Sequence, residues 1–196
     1  MTLNRFSRWG VVAAVVLGAT LPAMAEETTF RILSGRSEVA FDATYPLGDF
    51  TGTTKDVKGE IRFDPADLAR PVVAQVEVDP SSLNTGISGR DRDLRDTMEV
   101  ERFPSIHFVV REVRAARPSL LGEPEVPVVI AGRMTIHGVE RPAEFSGKAQ
   151  LQDAVLRVEG ATALKMTDYG IKPPSKFFFR VGDEIKIRFS SEAVRK

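Results

Sequence analysis

Ile130-Ala131-Gly132-Arg133-Met134-Thr135-Ile136-His137-Gly138-Val139-Glu140-Arg141-Pro142-Ala143-Glu144-Phe145 is the stretch that decides the fold. Ile130, Gly132, Met134 and Ile136 alternate with polar neighbours, and Ala143, Phe145, Gly147 and Ala149 resume the alternation. His137-Gly138 starts the turn between them, and the second strand is expected to begin after Pro142. Successive side chains of a strand point to opposite faces, so each half reads as a strand with one apolar and one wet face. That signature belongs to antiparallel sheets, because buried parallel strands read as continuous apolar runs.

The same period of two runs outward in both directions. Towards the N-terminus it is carried by Val39, Phe41, Ala43 and Tyr45, by Val57, Gly59, Ile61 and Phe63, and by Val72, Ala74, Val76 and Val78. Ile106, Phe108 and Val110 precede the opening stretch; Val158, Gly160, Thr162 and Leu164 follow it, and Ile185, Ile187 and Phe189 close the series. Turn residues punctuate these runs at Asp64-Pro65, at Asp79-Pro80-Ser81-Ser82 and at Gly182-Asp183. About eight short strands of this kind make a sandwich or a closed barrel. Glycine on the inward face of several runs (Gly59, Gly132, Gly147, Gly160) favours the barrel, because a closed sheet must bend. The expectation is an all-β, eight-stranded antiparallel barrel with one short helix.

That helix is read over Ile87 to Val100, with Ser88 as its cap and Asp91 completing a capping-box-like pair. Asp91–Arg95 and Arg92–Asp96 are spaced to pair along its outside. Arg114 to Pro127 reads as a polar, proline-containing loop between strands.

The first twenty-five residues have a different character. Arg5 and Arg8 give a positive start, Gly10 to Leu21 is apolar, and Ala23-Met24-Ala25 supplies small-x-small before Glu26. These are the parts of a secretory signal cleaved after Ala25. The apolar run of about a dozen residues falls short of the roughly 20 a spanning helix needs, a membrane anchor being the other reading. The expected product is a periplasmic domain of residues 26–196, with no integral membrane segment once the signal is gone. Losing Arg5 and Arg8 takes the 27 basic residues to 25 against 27 acidic ones, a net charge of −2. That argues against nucleic acid as a partner. The chain has no cysteine, so disulfides, thiolate metal sites and thiol nucleophiles are all absent.

Little in the sequence points to catalysis. His107 faces away from Ile106 and Phe108, and His137 sits at a turn; they form no metal-spaced pair. G-x-S-x-G, Ser-x-x-Lys, a Walker loop and G-x-G-x-x-G are all missing, so no catalytic, metal or cofactor site is expected. Attention passes to the interior. A barrel of about eight strands either fills itself with side chains or holds one small ligand. The residues expected to line the lumen as a ligand site are Phe41, Tyr45, Phe63, Phe108, Met134, Phe145, Leu164 and Phe189.

The chain resembles the YceI-like family of bacterial periplasmic, lipocalin-like proteins from about Phe30 to Val194. The resemblance is carried by Ser37 to Phe41, Val57 to Pro65, Thr85-Gly86, Arg90 to Arg95 and Phe103 to Phe108. Gly132 to Pro142, Asp168 to Ile171 and Gly182 to Ile187 complete it, in this order and spacing. It implies an extended barrel with an elongated apolar pocket, binding isoprenoids, isoprenoid quinones or similar long lipids, and no established catalytic residue. The family often has histidine where this chain has Asp93, and another within the segment occupied here by Tyr45 to Asp49. Those departures imply a different head group or none. Three functions stay open: a carrier of a long apolar amphiphile, a filled-barrel interaction or stress-response protein acting through its outer surface, and an enzyme on a lipocalin-like scaffold. A homodimer is open as well.

Overall fold

The computed structural model describes residues 27–176 and 179–196; the expected signal, residues 1–25, lies outside them. Strands β1 (Thr28–Ile32), β2 (Glu38–Ala43), β3 (Phe50–Thr54), β4 (Val57–Phe63) and β5 (Val73–Val78) come first, followed by helix α1 (Ser88–Thr97). Then come β6 (Ile106–Ala115), β7 (Val126–Ile136), β8 (Val139–Gln152), β9 (Val155–Lys165), the short pair β10 (Ser175–Lys176) and β11 (Phe179–Arg180), and β12 (Glu184–Arg195).

One antiparallel sheet runs β1-β4-β5-β6-β7-β8-β9-β12, and β1 pairs again with β12, which closes it into an eight-stranded barrel. Two of the eight staves are broken. β2 continues beyond β1 and takes over the edge of β12 from Ile185 to Ser190, where β1 holds only its end near Ala193–Arg195. β3 likewise continues beyond β4 and pairs with β2. The break between β1 and β2 is a turn in which Gly35 has φ +85° and Ser37 is fully buried. There the Ser37 hydroxyl donates to the Glu192 carbonyl (3.3 Å) and accepts from the Glu192 amide (3.1 Å), standing in for a missing backbone partner.

His137 (φ +51°) and Gly138 (φ +73°) form a two-residue hairpin turn, both left-handed. The second strand of the opening hairpin therefore starts at Val139, earlier than expected, and contains Pro142 opposite Arg133. Proline is tolerated there because β9 pairs with β8 only from Ser146 onward.

The loop expected over Arg114 to Pro127 is shorter and less polar in its role. β6 reaches Ala115 and β7 starts at Val126, and between them Leu120 is 3% exposed. Leu120 donates its amide to the Pro65 carbonyl (2.9 Å) and Leu68 donates to Pro118 (2.7 Å). These two loops lock together and plug one end of the barrel with Leu68 and Leu120. At the other end Met98, Tyr169 and Ile171 pack against Met134, Ile136 and Phe145.

Helix α1 also differs in detail. Its cap position is Ile87, with no side-chain cap bond, and Ser88 is already the first helical residue. Asp91 is buried rather than turned out to Arg95, and neither expected outer ion pair is found among the described residues. The reason is Thr85, which donates both its amide (2.8 Å) and its hydroxyl (2.5 Å) to Asp91 Oδ1. Those two bonds hold the Asp91 carboxyl below the usual carboxylate range. Arg90 donates to the Thr85 hydroxyl and carbonyl while its guanidinium lies 4.3 Å from the Phe50 ring centre. The Arg90-Asp91 pair thus fastens the helix to β3 and the Thr85 turn, which exposed charge pairs cannot do.

Candidate functional site: the barrel lumen

Inward alternation brings the apolar faces of all eight staves together around one cavity of about 210 Å³. Seven of the eight residues expected to line it do so: Phe41, Phe63, Phe108, Met134, Phe145, Leu164 and Phe189. Tyr45 does not. β2 ends at Ala43, and Tyr45 belongs to the following turn, where its carbonyl accepts from Gly48 and its amide bonds Asp49. The alternation had been extended one step beyond the strand.

Phe145 is the hub of the lumen, meeting Phe108 edge-on at 5.2 Å and Phe189 at 5.4 Å. Glycines make room for these rings. A Cβ on Gly132 would meet the Phe108 ring at 2.8 Å, and one on Gly160 would meet Phe189 at 2.9 Å. Gly52, across from Phe41, serves that ring in the same way. The aromatic side chains lie back on bare backbone, so they line the cavity and do not fill it.

Several lining residues were missed from the sequence. Leu68 and Leu120 arrive from the plugging loops and Leu83 from the segment before α1. Val113 lines the cavity because the β6–β7 register shifts between Val110 and Glu112, moving the inward positions of β6 by one. Apart from Glu38, Ser190 and Ser191, every lining residue is apolar. Neither histidine is part of the lining. His107 bonds Ser105 (2.7 Å) on the outside; His137 meets the Phe103 ring at a tilt, 4.3 Å between centres, and bonds Glu99 (3.1 Å). Among the described residues no three His, Asp or Glu side chains are grouped to hold a metal ion. At the α1 end burial pushes the Tyr169 hydroxyl up, with Asp168 adding to the shift.

A closed antiparallel barrel around an apolar cavity defines the lipocalin-like class of binding barrels. Within that class the chain belongs to the YceI-like family, whose model matches residues 30–193. Solved structures agree on the fold. Burkholderia cenocepacia BcnA superposes with a TM-score of 0.68 at 19% identity, covering 83% of this chain and 99% of that one. A polyisoprenoid-binding domain from Saccharophagus degradans, implicated in plant cell wall breakdown, gives 0.66 at 16% identity, over 86% of this chain and 99% of its own. The YceI protein of Campylobacter jejuni gives 0.60 at 19% identity, over 74% and 84%. No curated protein sequence matches the chain at a significant level.

Proposed function

We propose that this protein is a periplasmic carrier that holds the tail of a long apolar amphiphile in its lumen: a polyisoprenoid, an isoprenoid quinone or a fatty-acid-like lipid. The observation that carries the reading is a cavity running from Leu164 to Leu120 with an almost wholly apolar lining. Water gains little there, whereas each buried methylene contributes about 0.8 kcal/mol. Ten methylenes contribute about 8 kcal/mol, enough to offset the lower estimates of the cost of immobilising a ligand, about 4–15 kcal/mol. The fold shared with a polyisoprenoid-binding domain supports the ligand class. Export rests on the signal-like residues 1–25. No helix of the described residues is long and apolar enough to cross a membrane. The protein acts by binding, without catalysis.

The test is a chain-length series with one head group, displacing an environment-sensitive fluorescent lipid at low and high salt. Such a reporter is needed because the only tryptophan, Trp9, lies within the signal. Affinity should climb with each added methylene until the lumen is full and should hold steady with salt, since few charges need screening. Affinity that ignores chain length and collapses with salt would refute the carrier reading.

A further inference from the structure

Resting on the carrier reading, we propose that the lumen also contains a polar docking point for the ligand, Ser191 on the β2–β12 seam, and that it selects an uncharged hydrogen-bonding group. Three observations converge on this place. Ser191 follows Ile187 and Phe189 on the inward face of β12, whereas its neighbour Ser190 is exposed and pairs with Glu38 on the outer face, so among the described residues Ser191 is the one polar side chain of the lining that alternation turns inward. The seam borders the break between β1 and β2, where Ser37 already satisfies the backbone of Glu192. Ser191 Oγ, by contrast, is shut off from solvent and has no hydrogen-bond partner among the described residues. A buried hydroxyl in that state is costly to the protein, and cavity-lining hydroxyls with nothing to bond are rare in well-packed folds.

Ser191 turns about a single side-chain bond between staggered positions, so its hydroxyl can be presented to a group in the lumen. Its row runs through Val158 and Ala149 to Val126, the first residue of β7. It therefore lies on the plugged side of the Phe108–Phe145–Phe189 rings, towards Leu68 and Leu120. A ligand bonded to Ser191 carries its polar group past the rings. The class follows from the surroundings. No basic side chain lines the lumen among the described residues, so a phosphate or carboxylate would be buried there as an unpaired charge, which is costly. A hydroxyl, carbonyl or amide fits.

The experiment compares hexadecane, hexadecanol and hexadecanoate as displacers of the fluorescent lipid from the whole protein. Hexadecanol should bind about tenfold more tightly than hexadecane, the effect of one net hydrogen bond, and more tightly than hexadecanoate. Ser191→Ala should remove the difference between alcohol and hydrocarbon and raise the melting temperature of the ligand-free protein. Ser191→Thr, which keeps the hydroxyl, should keep the preference. Equal binding of hexadecane and hexadecanol by the wild type, a preference that survives Ser191→Ala, or tightest binding of hexadecanoate would each overturn the docking point while leaving a lumen that binds chains. Failure of all three compounds to displace the reporter would overturn the carrier reading and this inference with it.

Discussion

Gly147→Ala is a severe small change to the barrel, and its cost follows from one close approach. Gly147 of β8 stands opposite Gly160 of β9. A Cβ built on Gly147 falls 1.8 Å from the Glu159 carbonyl oxygen and 2.6 Å from Gly160 Cα. Carbon and carbonyl oxygen ordinarily approach no closer than about 3.3 Å, so the strands must part by more than an ångström. No flexible side chain can absorb the movement, because both obstacles are backbone. Two ladder hydrogen bonds at this pair would stretch beyond useful length, costing about 0.5–1.5 kcal/mol each. Overpacking adds about 1–3 kcal/mol. The sum is about 2–6 kcal/mol, which for a domain of this size lowers the melting temperature by roughly 4–24 °C. Gly89→Ala is the control. Gly89 lies in helix α1, and an added Cβ there meets nothing within 4 Å. Alanine is favoured over glycine in a helix by about 1 kcal/mol, so this variant should melt a few degrees higher. Urea and thermal unfolding followed by far-ultraviolet circular dichroism measure both. Gly147→Ala within about 1 kcal/mol of the wild type would refute the close approach of β8 and β9.

Two further outcomes test the register and the outer charges. Leu164→Arg puts a cation into an apolar lumen and should cost several kcal/mol or abolish lipid binding, whereas Lys165→Ala, exposed on the opposite face, should be nearly silent in the same melts; equal tolerance would place β9 out of register by one. Asp42 is held at a pKa of about 2 by the Arg188 guanidinium (2.8 and 2.9 Å) and the Thr51 hydroxyl (2.7 Å), below its ordinary 3.8. A depressed carboxylate stabilises fully above its unfolded value, so this contribution should be whole above about pH 4 and fade as the pH falls towards 2. Both side chains are partly exposed, which limits the gain to about 1 kcal/mol; Asp42→Asn should remove that part of the acid dependence, seen as a difference between the two melting curves over this window.

The facing of the long strands was legible because burial on one side only forces strict alternation. β7, β9 and β12 keep that period from end to end, and their inward residues were read correctly. The failures occur where the period stops. The β6 bulge shifted the inward set, hiding Val113. The end of β2 turned Tyr45 out of the lumen. β3 was passed over because Phe50-Thr51-Gly52-Thr53-Thr54 has too little apolar character to alternate visibly; Gly52 is where the Phe41 ring lies. Leu68 and Leu120 are single leucines in polar loops, and nothing local says that two loops far apart in sequence will meet over one end. Asp91 looked like a surface charge because its partner, Thr85, lies before the helix and not on its face.

The same logic explains why the site was only half readable. Alternation reports which side chains face inward, but a barrel's capacity depends on the difference between the volume enclosed and the volume of those side chains. Gly132 and Gly160 could have been packing partners that complete a solid core. They instead let Phe108 and Phe189 lie back against the wall, and that arrangement is set by cross-strand register, which no local pattern encodes. Ser191 was invisible for the opposite reason. As one serine beside another on a strand, it resembles a solvated position, and its meaning arises only once alternation turns it inward to a place where nothing among the described residues bonds it. The fold therefore comes from repetition along the chain, while the shape of the lumen comes from the places where repetition fails: three glycines, two broken staves and, among the described residues, the unpaired oxygen of Ser191.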